Sequence, residues 1–183
     1  MKKFELTAEF VTNVFGKKLF RIKALVAFGD VEKGELGGFI EKEDNLSHDG
    51  NAWVYGNARV FGNARVSGNA QVSGDARVSG NAWVYGNAQV SGDARVYGNA
   101  QVSGDARVYD DADYAVVKGF GRCFRTTTFF RCKDKILRVQ CGCFYGDLAQ
   151  FREIVKKTHG DSKYAKEYLA IADLMELHFS DEY

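Results

Sequence analysis

The sequence predicts a mainly β protein whose centre is a β-solenoid, and three regularities carry that prediction. Glycine recurs every six residues from Gly50 to Gly104, and Asn or Asp follows it each time. Alanine comes next and valine two residues later, so the unit reads Gly-[Asn/Asp]-Ala-x-Val-x. A fixed short period is typical of stacked repeats, because a strand this short cannot bury a core alone. We therefore predict a solenoid over residues 46–115.

The chemistry of the unit indicates which side chains point inward. Valine is β-branched and favours extended backbone, and side chains alternate between the two faces of a strand. Valine and the small alanine are thus expected inside, and the variable x positions outside. Gly with Asn or Asp supplies the corner because these residues tolerate positive φ, and the chain contains no proline that could make a turn instead.

The repeat resembles the hexapeptide-repeat family, in which an aliphatic residue is followed four positions later by a small one. Val54 and Ala58 fit that pattern, and the match persists to Val102 and Ala106. The resemblance implies a left-handed β-helix with triangular coils of three hexapeptides. About 70 residues then make roughly four coils, about 20 Å tall at the usual spacing between strands. A period of eighteen residues also stacks three arginines on one face: Arg59, Arg77 and Arg95.

The flanking segments are predicted to cover the ends of the solenoid. Residues 1–45 should form an N-terminal β cap, with a hairpin from Phe4–Val11 and Leu19–Phe28 followed by a loop. Residues 116–183 should contain strands and two helices. The first helix is expected over 147–158 with Asp147 as its N-cap, and the second over about 162–179 with Asp161 as its N-cap.

The whole chain also resembles uncharacterised proteins of bacteria and their phages. The resemblance lies in Ala27-Phe28-Gly29-Asp30, in Gly37-Gly38-Phe39-Ile40-Glu41 and in Cys141-Gly142-Cys143-Phe144 ahead of two helices. It implies an architecture and an origin, and it brings no activity.

Composition excludes several classes of protein. The 25 basic and 24 acidic residues nearly cancel, so no global attraction to polyanions follows. No run approaches the roughly 18 apolar residues of a membrane span, and the N-terminus lacks the apolar core of a signal peptide. We therefore expect a cytoplasmic protein with no membrane contact and reduced cysteines. The cysteines lack C-x₂-C pairs, so no metal site and no cofactor is predicted.

One segment, Lys118 to Arg138, combines basic and aromatic residues. Such a segment can neutralise phosphate and stack on bases, and it can equally be a hairpin with Phe inward and charges outward. The stacked arginines Arg59, Arg77 and Arg95 also have two interpretations. They could belong to side-chain ladders that hydrogen-bond neighbouring coils, or they could form a face that binds anions. The candidate ligand residues are Arg122, Arg125, Arg131, Lys133, Arg138, Phe124, Phe130, Arg59, Arg77 and Arg95.

Aromatic residues at outward positions are candidates for an interface. Clustered exposed aromatics mark interfaces, although the chain's own terminal segments could cover them. A stripe on the second helix is typical of a core or a subunit contact. The candidate interface residues are Trp53, Tyr55, Trp83, Tyr85, Tyr168 and Met175.

Three functions are consistent with these observations. The first is a non-catalytic binding or scaffold protein that self-associates into a homo-oligomer. The second is a phage-type protein that captures a nucleotide, a nucleic acid or a host protein partner to blunt host defence. The third is an acyltransferase, as in many hexapeptide-repeat proteins, but such enzymes use a histidine base and none lies in the regular repeat. No catalytic residue is predicted.

Overall fold

The computed structural model describes residues 1–180 and forms a β-solenoid with a cap at each end. The last three residues of the predicted C-terminal region, 181–183, lie outside the described part. Two-residue strands form the coils. They are β4 Trp53–Val54, β5 Arg59–Val60, β6 Arg65–Val66, β7 Gln71–Val72, β8 Arg77–Val78, β9 Trp83–Val84, β10 Gln89–Val90, β11 Arg95–Val96, β12 Gln101–Val102 and β13 Arg107–Val108.

The strands stack in three parallel columns with partners eighteen residues apart, so three hexapeptides make one coil. β5, β8 and β11 form one column, β4, β7, β10 and β13 the second, and β6, β9 and β12 the third. The predicted stack of Arg59, Arg77 and Arg95 is confirmed by the register of the first column. Every repeat valine and alanine from Ala52 to Val108 is at most 1% exposed, which confirms the predicted interior.

Asparagine and glutamine side chains link successive coils, as the ladder interpretation predicts. The Asn63 amide donates to Asn81 at 3.2 Å, the Asn81 amide donates to Asn99 at 3.1 Å, and the same geometry joins Gln89 to Gln71 at 3.3 Å. Arginine–aspartate ladders do not form: within residues 1–180, no ion pair joins a repeat arginine to a repeat aspartate.

The N-terminal segment is a hairpin that continues directly into the first coil. β1 Phe4–Thr12 pairs with β2 Lys18–Ala24, which confirms the hairpin. The stretch predicted to be a loop contains a third strand, β3 Leu36–Ile40. It pairs with β2 on one side and with β5 on the other, so the coils begin before residue 46. The sequence did not predict this strand because consecutive glycines are typical of loops. Here Gly37 and Gly38 are buried in the strand, where neighbouring side chains and carbonyls leave no room for a Cβ atom.

Three polar side chains close the lower end of the stack, where backbone carbonyls have no coil beneath them. The Lys3 amine donates to the carbonyls of Gly50 at 3.3 Å and Ala52 at 2.8 Å. The Asn45 amide donates to Gly62 at 3.1 Å and Ala64 at 2.8 Å. The Arg21 guanidinium donates to the carbonyl of Gly37 at 2.8 Å and reaches that of Gly56 at 3.5 Å. Burial lowers the pKa of Lys3 to about 8.

Acceptors close the upper end of the stack, where backbone N–H groups are unpaired. The Asp111 carboxylate accepts from the Arg95 N–H at 2.8 Å, and the Asp113 carboxylate accepts from the Tyr109 N–H at 2.8 Å. The Thr128 hydroxyl accepts from the Gln101 N–H at 3.0 Å. The side-chain chemistry at each end thus matches the backbone groups that point out of it.

The C-terminal region is an antiparallel sheet with two helices on its outer face. The sheet contains β14 Tyr114–Phe120, β15 Arg125–Arg131, β16 Leu137–Cys141 and β17 Phe144–Asp147, and the helices are α1 Leu148–His159 and α2 Lys163–His178. On β15, Phe130 packs into the solenoid core and Phe129 into the core under the helices. Asp147 caps α1 as predicted, whereas α2 is capped by Ser162 and not by Asp161.

The two tryptophans occupy equivalent slots of the repeat in opposite environments. Both were expected to point outward, and Trp83 is 43% exposed, but Trp53 is fully buried. The N-terminal hairpin covers Trp53: Phe28 and Phe4 contact its ring at centroid distances of 5.3 and 6.2 Å. The prediction of an outward interface residue is therefore wrong for Trp53, because the chain's own N-terminus supplies its partner.

This difference predicts unequal stability effects of the same substitution. Trp53→Ala should lower the free energy of unfolding by about 3–5 kcal/mol, as loss of a large buried aromatic does. Trp83→Ala, from a partly exposed position, should cost less than about 1 kcal/mol. Urea unfolding of both variants measures the difference, and equal losses would contradict the burial of Trp53.

The hydrogen bonds at the lower end of the stack predict that two lysines of the N-terminal region contribute unequally to stability. Lys3→Met should lower the free energy of unfolding by about 1–3 kcal/mol, because two carbonyls lose their donor. Lys23→Met, at an exposed position of β2, should change it by less than about 0.5 kcal/mol. Thermal unfolding at matched pH tests the pair, and an unchanged melting temperature for Lys3→Met would refute the capping role.

Candidate functional site

A cleft of about 370 Å³ opens on the outer side of the C-terminal sheet, and we call it the C-terminal cleft. It lies between the loop that joins β14 to β15, the turn that joins β16 to β17, and the two helices. The residues that line it are Arg122, Cys123, Arg125, Cys141, Cys143, Phe144, Phe151, Ile154, Val155, Thr158, His159 and Tyr168.

The loop at the mouth of the cleft is fastened to α2. The Glu167 carboxylate accepts a hydrogen bond from the Gly121 N–H at 2.9 Å, and the Tyr168 hydroxyl donates to the Phe120 carbonyl at 3.3 Å. Burial raises the pKa of Tyr168 to about 12, with a smaller contribution from nearby Cys141, so its phenol stays neutral at neutral pH. These contacts fix the position of the residues that follow Gly121.

The floor of the cleft is apolar and rigidly packed. Phe151 of α1 contacts Phe144 at a centroid distance of 5.6 Å and Tyr168 at 5.7 Å. Ile154 of α1 is 38% exposed and faces the cleft. A flat apolar or aromatic group could therefore rest on this floor.

The rim of the cleft is positively charged. Arg122 and Arg125 are exposed, and the Arg125 guanidinium lies against Gly142 in the opposite turn. His159 stands at the end of α1, with its ring 5.9 Å from that of Tyr168. No Asp or Glu is among the described residues that line the cleft. The local field therefore favours an anionic group over a cationic one.

The predicted basic segment is divided between opposite ends of the sheet. Arg122 and Arg125 reach the cleft, whereas Lys133 lies in the turn after β15. Arg138 is paired with Asp134 at 2.7 Å. Arg131 donates to the Phe179 carbonyl at 3.0 Å and lies 3.8 Å from Asp113. The segment therefore does not form one basic surface, because successive turns of an antiparallel meander lie at opposite ends of the sheet.

The aromatic residues of that segment are also separated. Phe124 is 66% exposed at the tip of the loop between β14 and β15, whereas Phe130 is fully buried against the solenoid. Phe130 is therefore unavailable to a ligand.

Arg59, Arg77 and Arg95 lie on the solenoid and line no part of the C-terminal cleft. The helical residues Thr158 and His159, which carried no signal in the sequence beyond the end of a helix, complete the site instead.

The remaining interface candidates divide between surface and core. Trp83 contacts Tyr85 at a centroid distance of 4.5 Å with the rings tilted by 36°, and it stays partly exposed, while Tyr55 is half-buried against the solenoid core. Tyr168 and Met175 are each 6% exposed and belong to the core between α2 and the sheet. They are thus core residues of this chain and not subunit contacts. Trp83 and Tyr85 remain candidates for an interface.

The four cysteines are all free, and three of them line the cleft. Cys132 is buried under the sheet, and burial raises the pKa of its thiol. Thr127 donates to the Cys141 sulfur at 3.2 Å. Among residues 1–180, no three His, Cys, Asp or Glu side chains are arranged to hold a metal ion.

The histidine nearest the coils is not placed to act as a base. His48 accepts a hydrogen bond from the Lys3 N–H at Nδ1, at 3.2 Å, and its Nε2 faces the Glu43 carboxylate at 3.8 Å. Its ring stacks on Phe4 at 4.3 Å. With Nδ1 used as an acceptor, Nε2 carries the proton in the neutral ring, so no lone pair is free to take a proton from a substrate.

Comparison with known proteins supports the solenoid and extends no further. The family described as the YdcK beta solenoid repeat matches residues 52–68, 58–73, 70–86, 88–104 and 100–112. The coils are therefore similar to that repeat, and both caps fall outside the match. A search of curated proteins finds no match. In the part of the chain that the structure describes, neither helix has the length and apolar character needed to cross a membrane.

Proposed function

We propose that the protein is a non-catalytic binding protein in which the solenoid is a rigid scaffold and the C-terminal cleft binds an anionic ligand. The observation that carries the proposal is the combination of two exposed arginines on the rim with an apolar floor and, among the residues that the structure describes, no carboxylate in the lining. Arginine is suited to phosphate and carboxylate, which it contacts with two parallel hydrogen bonds.

The shape of the cleft favours a nucleotide over a long nucleic acid. A volume of about 370 Å³ suits a small ligand, and the lining combines a cationic rim with an apolar surface on which a base could lie. A nucleic acid would need a continuous basic surface, whereas Lys133 and Arg138 lie at the other end of the sheet. Capture of a nucleotide without chemistry is therefore the activity that the cleft supports best.

Matched pairs of arginine substitutions test this assignment. Arg122→Ala with Arg125→Ala should weaken binding of ATP, ADP or AMP about tenfold or more, since each charge-assisted contact contributes roughly 1.5–3 kcal/mol. Arg59→Ala with Arg77→Ala removes the same charge from the solenoid and should leave affinity unchanged. Calorimetric titration at two salt concentrations measures both pairs, and binding should weaken as salt rises.

The control pair also decides between the two arginine sites. Loss of nucleotide binding in Arg59→Ala with Arg77→Ala, and not in the cleft variant, would place the anion site on the solenoid and contradict the proposal. Native mass spectrometry of the same samples reports stoichiometry, which tests the predicted homo-oligomer. It also detects any ligand that co-purifies with the unaltered protein.

A further inference from the structure

Two exposed thiols, Cys123 and Cys143, line the C-terminal cleft from the two turns at the same end of the sheet. Cys123 lies in the loop between β14 and β15, and Cys143 in the turn between β16 and β17. We propose that they form a dithiol site that reacts with small anionic disulfides of the glutathione type. The chemistry belongs to the thiols themselves and goes beyond the nucleotide binding proposed above.

The register of the sheet places the side chains of Arg125, Thr127 and Cys141 on one face. Thr127 is the cross-strand partner of Cys141, and the hydrogen bond between their side chains puts both on the side that carries the helices. Side chains two residues apart in a strand share a face, so Arg125 lies on that side with Thr127. Its contact with Gly142 brings the β14–β15 hairpin against the turn that holds Cys143.

The positive charge around Cys123 favours a disulfide reagent that carries negative charge. Arg122 precedes Cys123 and Arg125 follows two residues later, and no acidic side chain is among the described residues that line the cleft. The Glu167 carboxylate beside this loop accepts from the Gly121 N–H and lies 3.6 Å from the Lys163 amine, which offsets its charge. An electropositive and accessible setting is the environment in which reactive cysteines are found. A disulfide that carries carboxylates is drawn to this rim by the same field that favours an anionic ligand, and a neutral disulfide is not.

The reaction balances in two exchange steps. The Cys123 thiol loses its proton and attacks one sulfur of the small disulfide, which forms a mixed disulfide and releases one thiolate that takes up the proton. Cys143 then attacks the Cys123 sulfur in the same way and releases the second small thiol. The protein is oxidised to a Cys123–Cys143 disulfide, and the small disulfide is reduced to two thiols.

The other two cysteines serve as internal references. Cys132 is buried between the sheet and the solenoid, and burial raises the pKa of its thiol, so it should not react. Cys141 is only partly exposed, and its sulfur accepts the hydrogen bond from Thr127. A site of general thiol reactivity would modify residues in the order of exposure alone, without regard to the charge of the reagent.

Intact mass spectrometry of the full chain with oxidised glutathione tests the proposal without any nucleotide present. The unaltered protein should lose the mass of two hydrogen atoms and retain no glutathione, and peptide mapping should show Cys123 joined to Cys143. Cys143→Ser should stop the reaction at one glutathione on Cys123. Cys123→Ser should slow the reaction severely, and Cys132→Ser should behave like the unaltered protein.

A comparison of two reagents tests the role of the arginines. Arg122→Ala with Arg125→Ala should slow the reaction with oxidised glutathione on the order of tenfold, and should leave the reaction with the neutral hydroxyethyl disulfide nearly unchanged. Equal slowing of both reagents would overturn the proposal, as would modification at Cys132 or a Cys141–Cys143 disulfide. Because the readout is thiol chemistry alone, it can fail while nucleotide binding stands, and the reverse is equally possible.

Discussion

Hydrogen bonding at the two ends of the coil stack is the constraint on which the rest of the structure depends. Each coil donates N–H groups to the next one up the stack, as in the 2.9 Å bond from the Arg59 N–H to the Ala76 carbonyl. The stack is therefore polar, with carbonyls directed out of its lower end and N–H groups out of its upper end. Buried backbone groups without partners are costly, so each end needs side chains of opposite hydrogen-bonding character. Lys3, Asn45 and Arg21 meet this need below, while Asp111, Asp113 and Thr128 meet it above.

This requirement explains why the sequence predicts the interior well and the ends poorly. The interior follows from a local rule that every repeat obeys, so Val78 and Ala82 can be placed from their position in the period alone. The ends depend on residues far apart in the chain, such as Lys3 and Ala52, and no local pattern links them. Trp53 shows the same limit: its slot indicates an outward side chain, and only the packing of Phe4 and Phe28 over it reverses that outcome.

The C-terminal cap shows how one strand can serve two cores. Adjacent residues on β15 point to opposite faces, so Phe130 completes the solenoid core while Phe129 begins the helical one. The basic and aromatic character of this segment was visible in the sequence, but its division was not. Consecutive turns of a meander lie at opposite ends of the sheet, and this separates Arg122 and Arg125 from Lys133. The two arginines of the candidate site could therefore be predicted, and the contribution of Phe144, Thr158 and His159 could not, because it depends on how α1 packs on the sheet.

The position of the cleft follows from a difference between the coils and the C-terminal sheet. The coils offer two-residue strands, and the parallel register stacks each outward side chain on those of the neighbouring coils. Within residues 53–108 only short corners join these strands, so the coils themselves present a shallow surface. The C-terminal sheet, in contrast, leaves the cleft of about 370 Å³ beside the two helices; its turns carry Arg122, Cys123 and Cys143 into that space, and the end of α1 contributes His159. Because the stack supports one face of the sheet, the opposite face is preorganised, and this would lower the ordering cost of the proposed ligand binding.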